Sequence, residues 1–379
     1  MPDVLKLFII FTVLSGTQTA ALLLRFRRHA MLLSEVVFFS GCLFYGAGIY
    51  LVAQIFNLNA HYPAGVWWWA LGVLPFALCL DTLLLHALLV SLLAIWCGME
   101  IIGFGDAGLW FFGRWGFIAN GAYSLPLLAL PGLMWAYRKG SVATVALYVP
   151  LLAWWVILQP IAWKLEEETV YFIGAVGGLM LVIAESHPTG SRFAIPYRLF
   201  GVLLAAGVLL AMSFYDFSDA IQRSGLEAGT LVPALVILSL SAATIFLAAL
   251  LKRRESPEPP SVPQQIQQIL RKQCLPIGLV VVMVILLGWH LIIGEPLLPT
   301  IVANVAMIIL AFWLMGVGLR EDRGRPFAAG VMYFLLWAIV RYVDLFGDFG
   351  GMLGAALMFF LCGGALFGVG FYWRNRKQR

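Results

Sequence analysis

The sequence predicts an all-α protein: a polytopic transmembrane bundle of about thirteen spans, N-terminus outside and C-terminus cytoplasmic. Three observations carry this. The 379 residues are 62% hydrophobic and only 11% charged, against roughly 25% charged in soluble domains. Apolar runs of about 20 residues, the length that crosses a hydrocarbon core as a helix, recur from end to end. Lys and Arg then alternate between successive links as a positive-inside topology requires. Barrel strands would instead alternate apolar and polar residues over about ten positions.

The first span is expected over 4–24. Its leading residues, Met1 to Lys6, lack a basic start, and no small-residue cleavage site follows, so it reads as retained. The second, 31–56, is long enough to tilt. Gly41, Gly46 and Gly48 leave little side chain on part of its surface, which lets another helix approach closely. Spans three (64–80) and four (82–104) form a tight hairpin around Asp81. An aromatic loop, 105–116, holds Trp110 and Trp115 where a membrane interface would suit them. The fifth span, 117–137, contains Pro126 and Pro131 and should kink. Spans six to nine are expected over 141–163, 170–186, 199–215 and 231–251.

Pro257, Pro259, Pro260 and Pro263 then mark the only linker-like stretch, 252–274, with a short polar helix containing 264–272. It divides a nine-span part, 1–251, from a four-span part, 275–379, expected to pack on the first. The closing spans fall over 275–293, 299–318, 326–343 and 350–373.

Charge tests this count. With the first link inside, the alternation gathers 19 of the 24 Lys and Arg on cytoplasmic links, including Arg25, Arg27, Arg28, Arg138 and Lys139. Only Arg114, Lys164 and Arg223 fall outside, and Lys6 and Arg341 lie within spans. The pI near 9.0 is therefore topogenic, and anionic lipids at the cytoplasmic face are the expected partners. No basic patch belongs to a soluble module, which argues against nucleic-acid binding.

Ionisable groups at membrane depth cost on the order of 2.5–3.5 kcal/mol, so each needs a reason. Arg341, Asp344 and Asp348 stand at i, i+3 and i+7 near the outer end of the twelfth span, on one helical face. They read either as a structural pair anchoring the helix end or as a charged ligand site. Topology puts Gln54, Asn57, Asn59 and His61 at the same outer end. The two groups are expected to converge on an outward-open polar pocket with Trp67, Trp68 and Trp69 at its rim. The plain alternatives are loop capping for the asparagines and an interfacial belt for the tryptophans. His86 and His290, lone in apolar helices, are expected to make helix–helix hydrogen bonds. Asp81 is a turn residue, while Glu100 and Asp216 are expected to be solvated at the outer boundary. Glu185 and His187 flank an inner link without sharing a helix face.

The five cysteines are scattered, without CxxC or ligand spacing, so neither disulfide nor metal is expected, and no cofactor motif occurs. GxxxxGK[ST], HExxH and GxSxG are absent. Enzyme activity is the least supported class.

The block GAGIYLVAQIFNL, followed by Tyr62-Pro63, the tryptophans and Leu74-Pro75, resembles a bacterial family of predicted membrane proteins of unknown function. Arg341-Tyr342-Val343-Asp344-Leu345-Phe346 is similar to that family's C-terminal motif. The resemblance covers most of the chain loosely and implies a multi-helix inner-membrane fold without an assigned activity. Many members carry a cytoplasmic segment ahead of the first span, which this sequence lacks. Two function classes follow. One is a transporter or binder of a small or lipid-linked polar substrate. The other is a non-catalytic scaffold or sensor subunit, packing against a membrane-protein partner or a second copy.

Overall fold

A computed structural model describes residues 3–57, 62–103, 121–165, 167–188, 190–224, 232–255 and 261–346, with isolated positions beyond. Every regular element among the described residues is helical. The chain divides into two compact units, 1–166 and 167–379.

The first unit contains α1 (Asp3–Phe26), α2 (Met31–Ile55), α3 (Tyr62–Leu80), α4 (Leu83–Gly98), α5 (Leu125–Lys139) and α6 (Val142–Ala162). Local chemistry sets several of these boundaries. Asp81 adopts φ +54° between α3 and α4, as its turn role requires, and the Thr82 hydroxyl accepts from the Leu85 N–H to start α4. Gly140 closes α5 in the left-handed region at φ +75°, which glycine enters without a Cβ penalty. Ser141 then caps α6 by accepting from the Thr144 N–H.

Along α4, Leu85, Leu89, Leu93 and Trp96 form one fully buried stripe. It joins Ala70 and Val73 of α3, Leu125 and Ala129 of α5, and Tyr148 of α6 in a single core. α2 meets α3 through Gly46, where an added Cβ would overlap the Trp69 ring. The expected close approach on the second span's glycines is therefore realised, with an indole as the occupant.

The second unit contains α7 (Thr169–Ser186), α8 (Ala194–Met212), α9 (Tyr215–Ser224), α10 (Val232–Glu255), α11 (Val262–Lys272), α12 (Cys274–Ile292), α13 (Leu297–Glu321) and α14 (Gly324–Phe346). α7 is its centre, packed by α8, α10 and α12. Of its apolar stretch 72% is buried, against 6% for α1. A helix apolar on every face can take that position. α11 is the expected short polar helix: Gln264 accepts from the Ser261 N–H at its start, and Ile269 docks on Ala248 and Ala249 of α10.

Ten helices among the described residues are long and apolar enough to cross a membrane. They coincide with the first four and the sixth to eleventh predicted spans. The twelfth, 326–343, lies inside α14, and the thirteenth, 350–373, falls outside the described residues apart from isolated positions.

Two expectations are corrected. Residues 121–124 are not helical, and α5 begins only at Leu125. Pro126 thus sits in the first turn, where its missing N–H costs nothing, instead of kinking a longer span. Glu100, expected to be solvated, is 1% exposed. α4 continues past Gly98 as a π-helical turn, Met99–Gly103, which keeps Glu100 beside buried Ile101 and one turn after Trp96. Asp216 is exposed, as expected.

Candidate functional site

In the first unit, Gln54 in the last turn of α2 and Asn57 just beyond it line one groove of about 780 Å³. Asn57 sits at φ +48°, a conformation asparagine tolerates better than most residues. One wall is aliphatic and aromatic, from Ile10, Phe11 and Leu14 of α1. The other carries Tyr50 of α2 with Tyr62 and Trp68 of α3, and the two tyrosine rings stand 5.2 Å apart. Both amides are exposed and available to an occupant.

Of the three adjacent tryptophans only Trp68 lines this groove. Successive side chains on a helix diverge by about 100°, and the flanking indoles turn into the unit. Trp67 donates to the Ser124 hydroxyl at 3.0 Å, and Trp69 donates to the Cys42 carbonyl at 2.8 Å. Asn59 and His61 lie outside the described residues.

A second polar line runs from the α3–α4 turn into the same unit. Asp81 accepts from the Trp135 indole N–H at 3.1 Å and stands 3.5 Å from Lys139. His86, fully buried, is hydrogen-bonded through Nδ1 to the Tyr148 hydroxyl at 2.9 Å. This is the helix–helix bond expected of a lone histidine, joining α4 to α6. Tyr148→Phe is expected to lower stability by about 1–2 kcal/mol, because it leaves a buried ring nitrogen unpaired. The loss is to be read as a reduced Tm of the detergent-solubilised protein.

The second unit has polar groups at both ends. Where α8 stops, Arg341 of α14 donates to the Ser213 hydroxyl at 3.2 Å, and its guanidinium lies 5.2 Å from the Phe214 ring centre. Asn304 reinforces this end by donating to the Ser213 carbonyl at 3.2 Å and accepting from the Trp337 indole at 3.0 Å. Arg341 is 8% exposed. The side chain of Asp344, and Asp348 altogether, lie outside the described residues. Nearby, His290 Nδ1 donates to the Gln222 carbonyl oxygen at 3.0 Å, and Gln222 donates to the Tyr171 hydroxyl at 3.3 Å. The second lone histidine thus also joins two helices. Gln54 and Arg341 belong to different units, each with its own polar set.

At the opposite end of this unit Arg198 binds Glu321 through both Nη atoms, at 2.9 and 2.8 Å. It also reaches Glu185 at 2.9 Å. Arg320 holds the other Glu185 oxygen at 3.0 Å, and Arg323 stands 3.5 Å from Glu321. Sequence reasoning misses this cluster. It assigns the arginines to topology and weighs Glu185 only against His187. The signal lies in the alternation itself, which brings the end of α7, the start of α8 and the end of α13 to one side of a bundle.

Ten helices among the described residues that are long and apolar enough to cross a bilayer define a polytopic membrane protein. Residues 1–86 match the family described as predicted membrane protein DUF2157, a stretch that contains every residue named above as lining the groove. No curated protein and no solved structure matches the chain.

Proposed function

We propose that the protein binds, and transports or presents, an amphipathic molecule with a small uncharged polar head, of the lipid-linked kind, in the groove between α1, α2 and α3. The observation that supports this is the placement of Gln54 and Asn57 in an otherwise aromatic and aliphatic groove. An acyl or prenyl chain gains by covering Ile10, Phe11 and Leu14. The head finds amide donors and acceptors together with the faces of Tyr62 and Trp68, side chains suited to sugars and to the membrane interface. Asn59 and His61 follow directly in sequence. The Lys and Arg bias favours an orientation that puts this end of α2 on the outer side of a bacterial inner membrane.

Transfer of excitation from Trp68 to a dansyl-labelled alkyl glycoside, in nanodiscs of phosphatidylcholine, tests the proposal. Saturable transfer is expected, weakened about tenfold by Gln54→Leu, the equivalent of one hydrogen bond. Transfer unchanged by both Gln54→Leu and Asn57→Leu would overturn it. The scaffold reading is favoured by α1, whose apolar stretch is only 6% buried and whose Phe8 and Phe11 are exposed. A stoichiometric partner held on that helix, with no ligand in the groove, would select it.

A further inference from the structure

The second unit contains a cavity of about 730 Å³ at the end where α7 and α13 stop and α8 begins. Its floor is the Arg198–Glu185–Glu321 cluster, in which Arg198 spends both Nη groups on the two carboxylates. Four permanent cations line the cavity, Arg198, Lys272, Arg320 and Arg323, against two carboxylates. The space therefore carries an excess of two positive charges. That excess is available to an occupant. Arg320 and Arg323 are 59% and 41% exposed and each makes one carboxylate contact, out of five N–H donors. Lys272 has no carboxylate partner among the described residues.

The wall at the α11–α12 junction supplies a second, independent requirement. Gln273, at the junction of α11 and α12, is 3% exposed. Its Nε2 donates to the Ser186 hydroxyl at 3.1 Å, while its Oε1 is buried without a hydrogen-bond partner. A buried carbonyl oxygen left unpaired is costly, so an occupant that donates to it gains on entering. α11 holds this wall in place. Its Ile269 is fixed on α10, so its last turn carries Lys272, and then Gln273, to the cavity.

We propose that this cavity binds a hydrogen-phosphate group, HPO₄²⁻ or the phosphomonoester head of a lipid. HPO₄²⁻ balances both excess charges and keeps one P–OH, whereas a lipid phosphomonoester that keeps its P–OH is a monoanion and offsets one of them. In either form the anionic oxygens match the forked N–H geometry of arginine, and the P–OH can donate to Gln273 Oε1. Sulfate is a dianion and a phosphodiester a monoanion, and at neutral pH neither has that proton. The site is independent of the groove in the first unit and stands or falls separately.

The full-length protein in phosphatidylcholine nanodiscs is titrated calorimetrically with inorganic phosphate and, separately, with sulfate at neutral pH. A parallel set of nanodiscs contains phosphatidic acid or phosphatidylglycerol, and retained lipid is counted by native mass spectrometry. Saturable phosphate binding identifies the free ion as occupant, and retention of phosphatidic acid over phosphatidylglycerol identifies the lipid head. Lys272→Gln, which leaves the floor cluster intact, is expected to weaken either interaction about tenfold. Gln273→Leu is expected to abolish the preference for phosphate over sulfate, or for phosphatidic acid over phosphatidylglycerol, a readout that mere support of the fold would not move. Absence of saturable phosphate binding together with equal retention of the two lipids would overturn the proposal. Binding that Lys272→Gln leaves unchanged would do the same.

Discussion

Arg198→Ala is expected to destabilise the second unit by about 3–5 kcal/mol, the cost of breaking a buried ion pair by removing one partner. The arginine and its two glutamates are each only 14–16% exposed at the side chain. Without Arg198, two carboxylates remain at one end of a helix bundle. Arg320 and Arg323, half in solvent, compensate them poorly, since exposed pairs contribute about 0–1 kcal/mol. Arg198→Lys should fall between, because an ammonium cannot grip Glu321 with two parallel bonds and still reach Glu185. The triple variant Arg198→Met, Glu185→Gln, Glu321→Gln should recover much of the loss, since it removes the charges along with their partner. Equilibrium unfolding in mixed micelles reads all three. A loss below about 0.5 kcal/mol for Arg198→Ala, the range of an ordinary surface substitution, would show the cluster to be solvated.

Gly177→Val is the second large effect, expected at about 3 kcal/mol, with failure to fold as its extreme. A Cβ at Gly177 would lie 2.8 Å from the Ala205 backbone nitrogen and 3.0 Å from the Gly201 carbonyl oxygen of α8. Backbone on a neighbouring helix cannot swing aside as a flexible side chain can, so the whole α7–α8 contact must open. Gly207→Val is the matched control. It introduces the same side chain in α8 where nothing stands within 4 Å, and because valine has a higher helix propensity than glycine, little or no cost is expected. Comparing the two Tm values separates crowding between helices from any general intolerance of valine.

Much of the helical layout is legible in the sequence because it depends on length and hydropathy, which any 20-residue window reveals. Asp81 at the α3–α4 turn, the lone histidines bonding across helices and Gly46 as a close-approach point follow from residue type and position. Glu100 does not, because a π turn extending α4 is decided by packing, and the composition of the segment does not announce it. The start of α5 is misread for a related reason. Pro126 has one meaning inside a helix and another in its first turn, and the apolar run upstream hides which applies.

The polar sites divide the same way. Gln54 and Asn57 are recognisable as amides at a helix end. That they share a groove with Ile10 and Phe11, while Trp67 turns away to Ser124, depends on how α1, α2 and α3 are rotated about their axes. Glu185, Arg198 and Glu321 are far apart in sequence and unremarkable singly; antiparallel packing of α7, α8 and α13 brings them within hydrogen-bond reach. The sequence by itself determined that this is a membrane-crossing helical protein, because transfer of apolar segments into lipid is a sum over local composition. Only the tertiary structure decided which polar residues meet, because helix rotation and pairing are settled by side-chain packing between segments that no local window contains.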